Sequence, residues 1–215
     1  MAENICDLKL PLSSKESEKL KLGQIVTVSG MIFTGRSRFH IRVVEENILP
    51  PIDFEKINCF FHVGPVMQQT DTGWEIVSIE PTSSIRFERY SGQVIKKLNL
   101  RTVIGKTTMG SETSSALAAV QGVHLSKIGI CGNQLAKQVK KVHTVYFLNE
   151  LGKTEATWVF EVEKFGPFFV DMDAHGRNYF EELNKDVRKN LPGLYKKLGI
   201  SPDYAYTHVN AGQEG

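Results

Sequence analysis

Three short basic segments of this 215-residue chain bring together residue types that hold small anions. The first is Thr34-Gly35-Arg36-Ser37-Arg38-Phe39-His40-Ile41-Arg42. If it turns helically, Arg36 and His40 share one face and Arg38 and Arg42 another. A helix start carrying an arginine attracts carboxylates, because free backbone N–H groups and the macrodipole both favour negative charge. A solvated basic helix face explains the same residues when they are taken alone. The second segment is Pro81-Thr82-Ser83-Ser84-Ile85-Arg86. Its Thr82 and Arg86 repeat the four-residue spacing, and a guanidinium grips a carboxylate in a planar, two-pronged way that lysine cannot reproduce. Ordinary helix capping by Thr82 or Ser83 is the plainer reading. The third is Gly105-Lys106-Thr107-Thr108-Met109-Gly110. A phosphate loop would need a glycine five residues before Gly105, where Leu100 stands, so a nucleotide-binding loop is excluded and a glycine-flanked lysine remains.

The elements that must position these loops follow from the pattern around them. Residues 1–20 are polar and read as an arm with at most one short strand. Gln24 to Phe33 is β-branched with a central Gly30, a strand with a bulge or close approach. Apolar residues at Phe39, Val43, Val44 and Ile48 predict a helix that Pro50-Pro51 stops. Strands are expected at Asn58 to Val63, Trp74 to Ile79 and Arg101 to Ile104, and helices at Gly92 to Leu98 and Ser114 to Val120. Short apolar runs follow at Lys127 to Ile130, Val142 to Leu148, Thr157 to Val162 and Pro167 to Val170. Asp171 to Gly176 reads as a turn and Arg177 to Lys189 as an exposed amphipathic helix. Alternating helix and strand implies an α/β layer, with the main domain at 21–200 and a mobile tail at 201–215. Each basic segment then follows a strand, and open α/β sheets place ligands at strand carboxyl ends.

Composition sets the remaining bounds. With 26 basic and 24 acidic residues the net charge is +2, too small for the field that drives nonspecific nucleic-acid binding. No run approaches a membrane span, and Met1-Ala2-Glu3-Asn4 lacks the regions of a signal peptide, so a cytoplasmic location is expected. The three cysteines, Cys6, Cys59 and Cys131, are too scattered for a disulfide framework or a self-contained cluster site. Two guanidiniums, an ammonium, an imidazole and a hydroxyl, with no Asp or Glu inside the three motifs, suit a dianion better than a metal.

In their order and wording these segments resemble the β subunit of the two-subunit class I fumarate hydratase and L(+)-tartrate dehydratase family, equivalent to the C-terminal domain of single-chain class I fumarases. The family's T-A-R-D-x-A-H-K-R stands here as Thr34 to Arg42, its P-T-T-S-S-R as Pro81 to Arg86 and its G-K-G-G-M as Gly105 to Met109. Lys140-Lys141-Val142, Leu151-Gly152 and Glu155-Ala156-Thr157-Trp158 also match, and the likeness runs collinearly from about Leu20 to Leu183. It implies a swivelling β/β/α domain, a mixed sheet with helices packed on one side. It further implies a hydro-lyase that hydrates or dehydrates a small dicarboxylate, fumarate/malate or L-tartrate, as an αβ or higher heteromer. A four-iron four-sulfur cluster would belong to the partner α subunit and not to this chain. Arg36, Arg86 and Lys106 would hold the substrate carboxylates, Thr82 would take the family's role in proton transfer, and His40 matches the motif histidine. The chemistry agrees: removing a proton beside a carboxylate builds negative charge on its oxygens, which fixed cations stabilise. A neutral threonine needs activation to serve in that step. Departures are Ser37 for Asp, Ile41 for Lys, Ile85 for Ser, and Thr107-Thr108 for Gly-Gly. The last motivates an alternative reading, a noncatalytic dicarboxylate-binding or regulatory module.

Overall fold

The computed structural model describes residues 5–129 and 131–204, so residues 205–215 of the expected tail and Ile130 lie outside the described residues. The chain divides into two units, one reaching Tyr179 and one beginning at Phe180. The first unit runs β1 (Cys6–Lys9), α1 (Ser14–Ser17), β2 (Ile25–Gly35), α2 (Ser37–Ile41), β3 (Cys59–His62), β4 (Val66–Thr70), β5 (Gly73–Ser78), α3 (Glu88–Leu98), β6 (Thr102–Gly105) and α4 (Ser111–Val120). It continues with β7 (Val123–Lys127), α5 (Gly132–Ala136), β8 (Val139–Tyr146), α6 (Leu148–Glu155) and β9 (Thr157–Met172). A π-helical turn at Arg42–Glu46 extends α2, and a 3-10 turn at Ser84–Phe87 leads into α3.

The mixed α/β architecture is a seven-stranded sheet in the order β1-β2-β3-β6-β7-β9-β8 beside the β4–β5 hairpin. Its first five strands are parallel neighbours, while β9 pairs antiparallel with β7, β8 and β2. Because β2 meets both β3 and β9, the strands β2, β3, β6, β7 and β9 pair around a closed circuit. Side chains alternate between two cores, as the pleat requires. Ile32, Phe61, Ile104 and Phe160 join one core, with Trp74 and Ile76 of the hairpin packed against it. Phe33, Phe60, Val103 and Val159 join the other, with Val94, Ile95, Ala116 and Leu117 of α3 and α4. Helices α2 to α4 form the expected helical layer, while Leu135 of α5 and Leu148 of α6 pack on the hairpin side.

Two stretches differ from the sequence expectation. Within residues 1–20, β1 pairs with β2, Leu8, Leu12 and Leu20 are buried, and Asn58 exchanges two hydrogen bonds with the Leu12 backbone. Leu8, Leu10 and Leu12 alternate as in a strand, but the run is short, interrupted by Pro11 and followed by polar residues; Ser13 and Glu16 form a capping box inside the same segment. The two apolar runs after Thr157 are one 16-residue strand, and it extends through Asp171, expected in a turn. A polar residue is masked as a strand member when its partner, here His124, is remote in sequence. No described helix is long and apolar enough to cross a membrane.

The helix α7 (Tyr179–Leu198) carries the chain into the second unit and outruns its expected end at Lys189. Leu183, Val187, Leu194 and Leu198 lie exposed along it.

Candidate functional site

Loop one begins where β2 stops. A Cβ on Gly35 would lie 2.6 Å from the Phe39 ring, so only glycine lets the strand turn directly into α2. Arg36 occupies the cap position, and its carbonyl accepts a hydrogen bond from Nδ1 of His40 at 2.8 Å. The His40 ring is therefore the Nδ1–H tautomer, with its Nε2 buried and without a partner. Burial holds its pKa down to about 4, against a smaller opposing pull from the Arg36 carbonyl. The expected helix-start attraction for a carboxylate is met within the chain: Glu155 of α6 accepts the Arg38 N–H at 3.0 Å and stands 3.7 Å from the Arg36 guanidinium. Arg38 and Arg42 turn toward Glu46, at 2.9 and 3.8 Å, and Arg42 also covers the Phe147 ring. The ion pairs of Arg36 and Arg42 are both long, and the Nε of each is buried and unbonded.

Loops two and three are stitched together. The strand expected before loop two, β5, belongs to the hairpin, so backbone bonds rather than a sheet strand place this loop. Thr82 donates its N–H to the His62 carbonyl at 2.8 Å, Pro81 bridges Val63, and Ser83 bridges Lys106 in parallel fashion. Ser84 gives its N–H to the Lys106 carbonyl at 3.0 Å, and its Oγ accepts the Lys106 N–H at 3.2 Å. The helical turn starts only at Ser84, so the i,i+4 alignment expected between Thr82 and Arg86 does not form. Arg86 and Lys106 are exposed and Thr82 is half-buried.

Gly105 is required by close approach. A Cβ there would fall 1.8 Å from Ser84 Oγ and 3.0 Å from His124 Nε2. Two residues on, Thr107 has a left-handed backbone with φ of +64°, which suits the family's glycine and strains a β-branched residue. Its carbonyl accepts the Ser126 hydroxyl at 2.9 Å, and Asn178 holds the Thr108 hydroxyl at 2.8 Å. Glu88 of α3 accepts the N–H groups of Gly110 and Thr113 and the Thr113 hydroxyl, fixing the start of α4.

Beneath the three loops lies a row of buried imidazoles that composition and spacing did not reveal. His62, at the end of β3, lies 5.2 Å ring to ring from His40 and 6.4 Å from His124. Its Nδ1 is 3.0 Å from Ser84 Oγ; since that oxygen already accepts the Lys106 N–H, its own proton is free for the ring. Phe87 stacks on His40 at 4.5 Å and meets His62 edge-on at 4.9 Å. Burial, then the nearby His40 and His124, hold the His62 pKa well below the ordinary imidazole value. His124 Nδ1 contacts the buried Asp171 carboxylate at 2.6 Å. The only visible trace of His62 was its place in the alternating strand end, whereas Glu155 stood in a motif already noted.

Among the described residues no group of three or more His, Cys, Asp or Glu is placed to hold a metal. Cys6 and Cys131 are exposed, and Cys59 is buried with its thiol pushed up by desolvation, so these thiols do not fit an iron-sulfur cluster.

Comparison with known proteins agrees with this geometry. The Fumarase C-terminus family matches residues 2–183. The chain is 39% identical to the putative L(+)-tartrate dehydratase subunit beta of Methanocaldococcus jannaschii, over 85% of this chain and 95% of that one. It is 30% identical to the L(+)-tartrate dehydratase subunit beta of Escherichia coli (strain K12), covering 83% of this chain and 88% of that one. A putative class I fumarate hydratase from Geobacillus stearothermophilus is 35% identical over 87% of this chain but only 36% of its own length. A match this long, carrying all three basic loops, means that the chain belongs to the Fumarase C-terminus family.

Proposed function

We propose that this chain is the β subunit of a hydro-lyase that reversibly hydrates or dehydrates a small dicarboxylate, fumarate/malate or L-tartrate, and that it supplies the cationic half of a site shared with an α subunit. The observation that carries the reading is the stitching of loops two and three beside loop one at the ends of neighbouring parallel strands. That arrangement gathers Arg36, Arg86 and Lys106 on one end of the sheet. In this reading the exposed Arg86 and Lys106 meet substrate carboxylates, and Arg36 joins them as it exchanges its loose partner Glu155 for substrate. Their charge stabilises the carbanion-like oxygens more strongly than the ground state, which is what lowers the barrier. Thr82, with its N–H fixed to His62, lies at the turn between these cations and would move the proton at its hydroxyl.

The iron-sulfur chemistry of such enzymes belongs, in this proposal, to the α subunit of a cytoplasmic αβ or larger heteromer, because the thiols here do not fit a cluster. No step is assigned to it on this chain. The test is co-expression with an α-type subunit under anaerobic conditions, followed by a panel of dicarboxylates. Turnover by the pair and none by this chain alone is expected. A cluster-free preparation of this chain that turns over fumarate or L-tartrate by itself would overturn the proposal.

A further inference from the structure

Loops one and two are each hydrogen-bonded to a buried imidazole, a third imidazole packs behind loop three, and the rings lie in a row. His40 lies in loop one and donates to the Arg36 carbonyl. Its other face stacks on Phe87, the last residue of the turn that carries Arg86. His62 reaches the same turn through Ser84, and Ser84 binds Lys106 in both directions. His124 closes the row behind Gly105 and is anchored by Asp171. All three rings are essentially inaccessible to solvent, at 0%, 1% and 0% exposure, so none meets a substrate directly.

We infer that His40, His62 and His124 are positioning residues, a buried row that sets the mutual register of the three anion-binding loops. Imidazole suits the task. It offers a hydrogen-bonding nitrogen on one side and a flat face on the other, and the row uses both: hydrogen bonds from His40 and His62 hold loops one and two, and ring contacts run on from them to His124. A charged lysine or arginine there would lack an acceptor role and would require a counter-ion in a site that must stay cationic on its outer surface. A purely apolar side chain would fill the space but leave the Arg36 carbonyl only the longer 3.3 Å bond from the His40 backbone N–H.

The inference rests on the hydro-lyase reading only for its catalytic readout, so the test has two arms. In the first, amide hydrogen exchange is followed on this chain alone at Thr82 and Lys106, whose N–H groups bond His62 and Ser84. His40→Leu keeps volume but removes the donor, whereas His40→Asn keeps a donor in place of Nδ1. We expect exchange at Thr82 and Lys106 to speed about tenfold in His40→Leu and to return near the original rate in His40→Asn. If His40→Leu does not fold, Ser84→Ala, which deletes the hydroxyl that meets the His62 ring, takes its place with the same expectation at Thr82, whose N–H bonds the His62 carbonyl and not Ser84. In the second arm, the complex assembled with its α subunit should show KM raised about tenfold in His40→Leu, with a smaller fall in kcat, and rescue by His40→Asn. Unchanged exchange at Thr82 in folded His40→Leu and Ser84→Ala proteins would overturn the proposal. Unchanged KM and kcat in both variants would do so as well. A wild-type complex without turnover would instead fell the functional reading, and the exchange arm would still decide the role of the histidines.

Discussion

The outer loops and the floor beneath them are built on opposite principles. Arg86 and Lys106 are exposed and charged, and they sit on loops held by backbone bonds. His40, His62, His124 and Asp171 are buried and packed, and their partners come from far along the chain. The difference teaches where tolerance lies. A loop cation can be deleted with little loss of fold, because its side chain supports nothing; a floor residue cannot, because it is the packing.

The largest expected effect falls on the outer side. Arg86→Ala or Lys106→Ala in the assembled complex should lower kcat/KM about a thousandfold, on the order of 4 kcal/mol of transition-state stabilisation. The melting temperature should stay within a few degrees, as expected for an exposed side chain. A variant that loses activity and stability together would blur the contrast.

The floor should announce itself through acid. His40 titrates near 6.5 when unfolded and at about 4 when folded, so the unfolded chain binds more protons between those values. Stability from this group is therefore complete above about pH 6.5 and falls as pH drops toward 4, by on the order of 3 kcal/mol. His62, also held low, adds a loss of the same sign. Denaturant unfolding at pH 7 and pH 4.5 checks this, and His40→Leu should flatten the slope. A wild-type stability that rises on acidification would contradict it.

Gly105 lies where the two regions meet. Gly105→Ala should cost about 2 kcal/mol, since its methyl must displace Ser84 Oγ, and should impair turnover as well. The smallest effect is expected at Thr107, where Thr107→Gly relieves the left-handed strain. Stability should rise by at most about 1 kcal/mol, the lost Thr107 hydroxyl bond and the added chain freedom working against the gain. A loss above that size would mean that the threonine side chain holds the loop.

The same contrast explains what was legible in the sequence. The loops could be read because their residues are contiguous and charged: Thr34 to Arg42, Pro81 to Arg86 and Gly105 to Gly110 each form a local pattern. Strand β2 and helices α3 and α4 were legible from branching and periodicity, and Gly30 does sit at a register shift. Strand β4 was not, because Val66–Thr70 is largely polar and gains order only by pairing with β5. The floor was hidden for a related reason. His62, His124 and Asp171 are single polar residues inside apolar strands, and only tertiary pairing assembles them. Glu155, at the end of α6, stood in a noted motif, yet its bond to the Arg38 N–H 117 residues away is likewise made only by the fold.

If the cationic loops hold the dicarboxylate, substrate affinity depends on them. The dissociation constant of fumarate or L-tartrate should be measured on the assembled complex, with and without Lys106→Ala, alongside thermal unfolding of each. Binding should weaken at least about tenfold at an unchanged unfolding midpoint. Equal affinity in a folded Lys106→Ala complex would contradict it, because the cationic loops would then not be what holds the dicarboxylate.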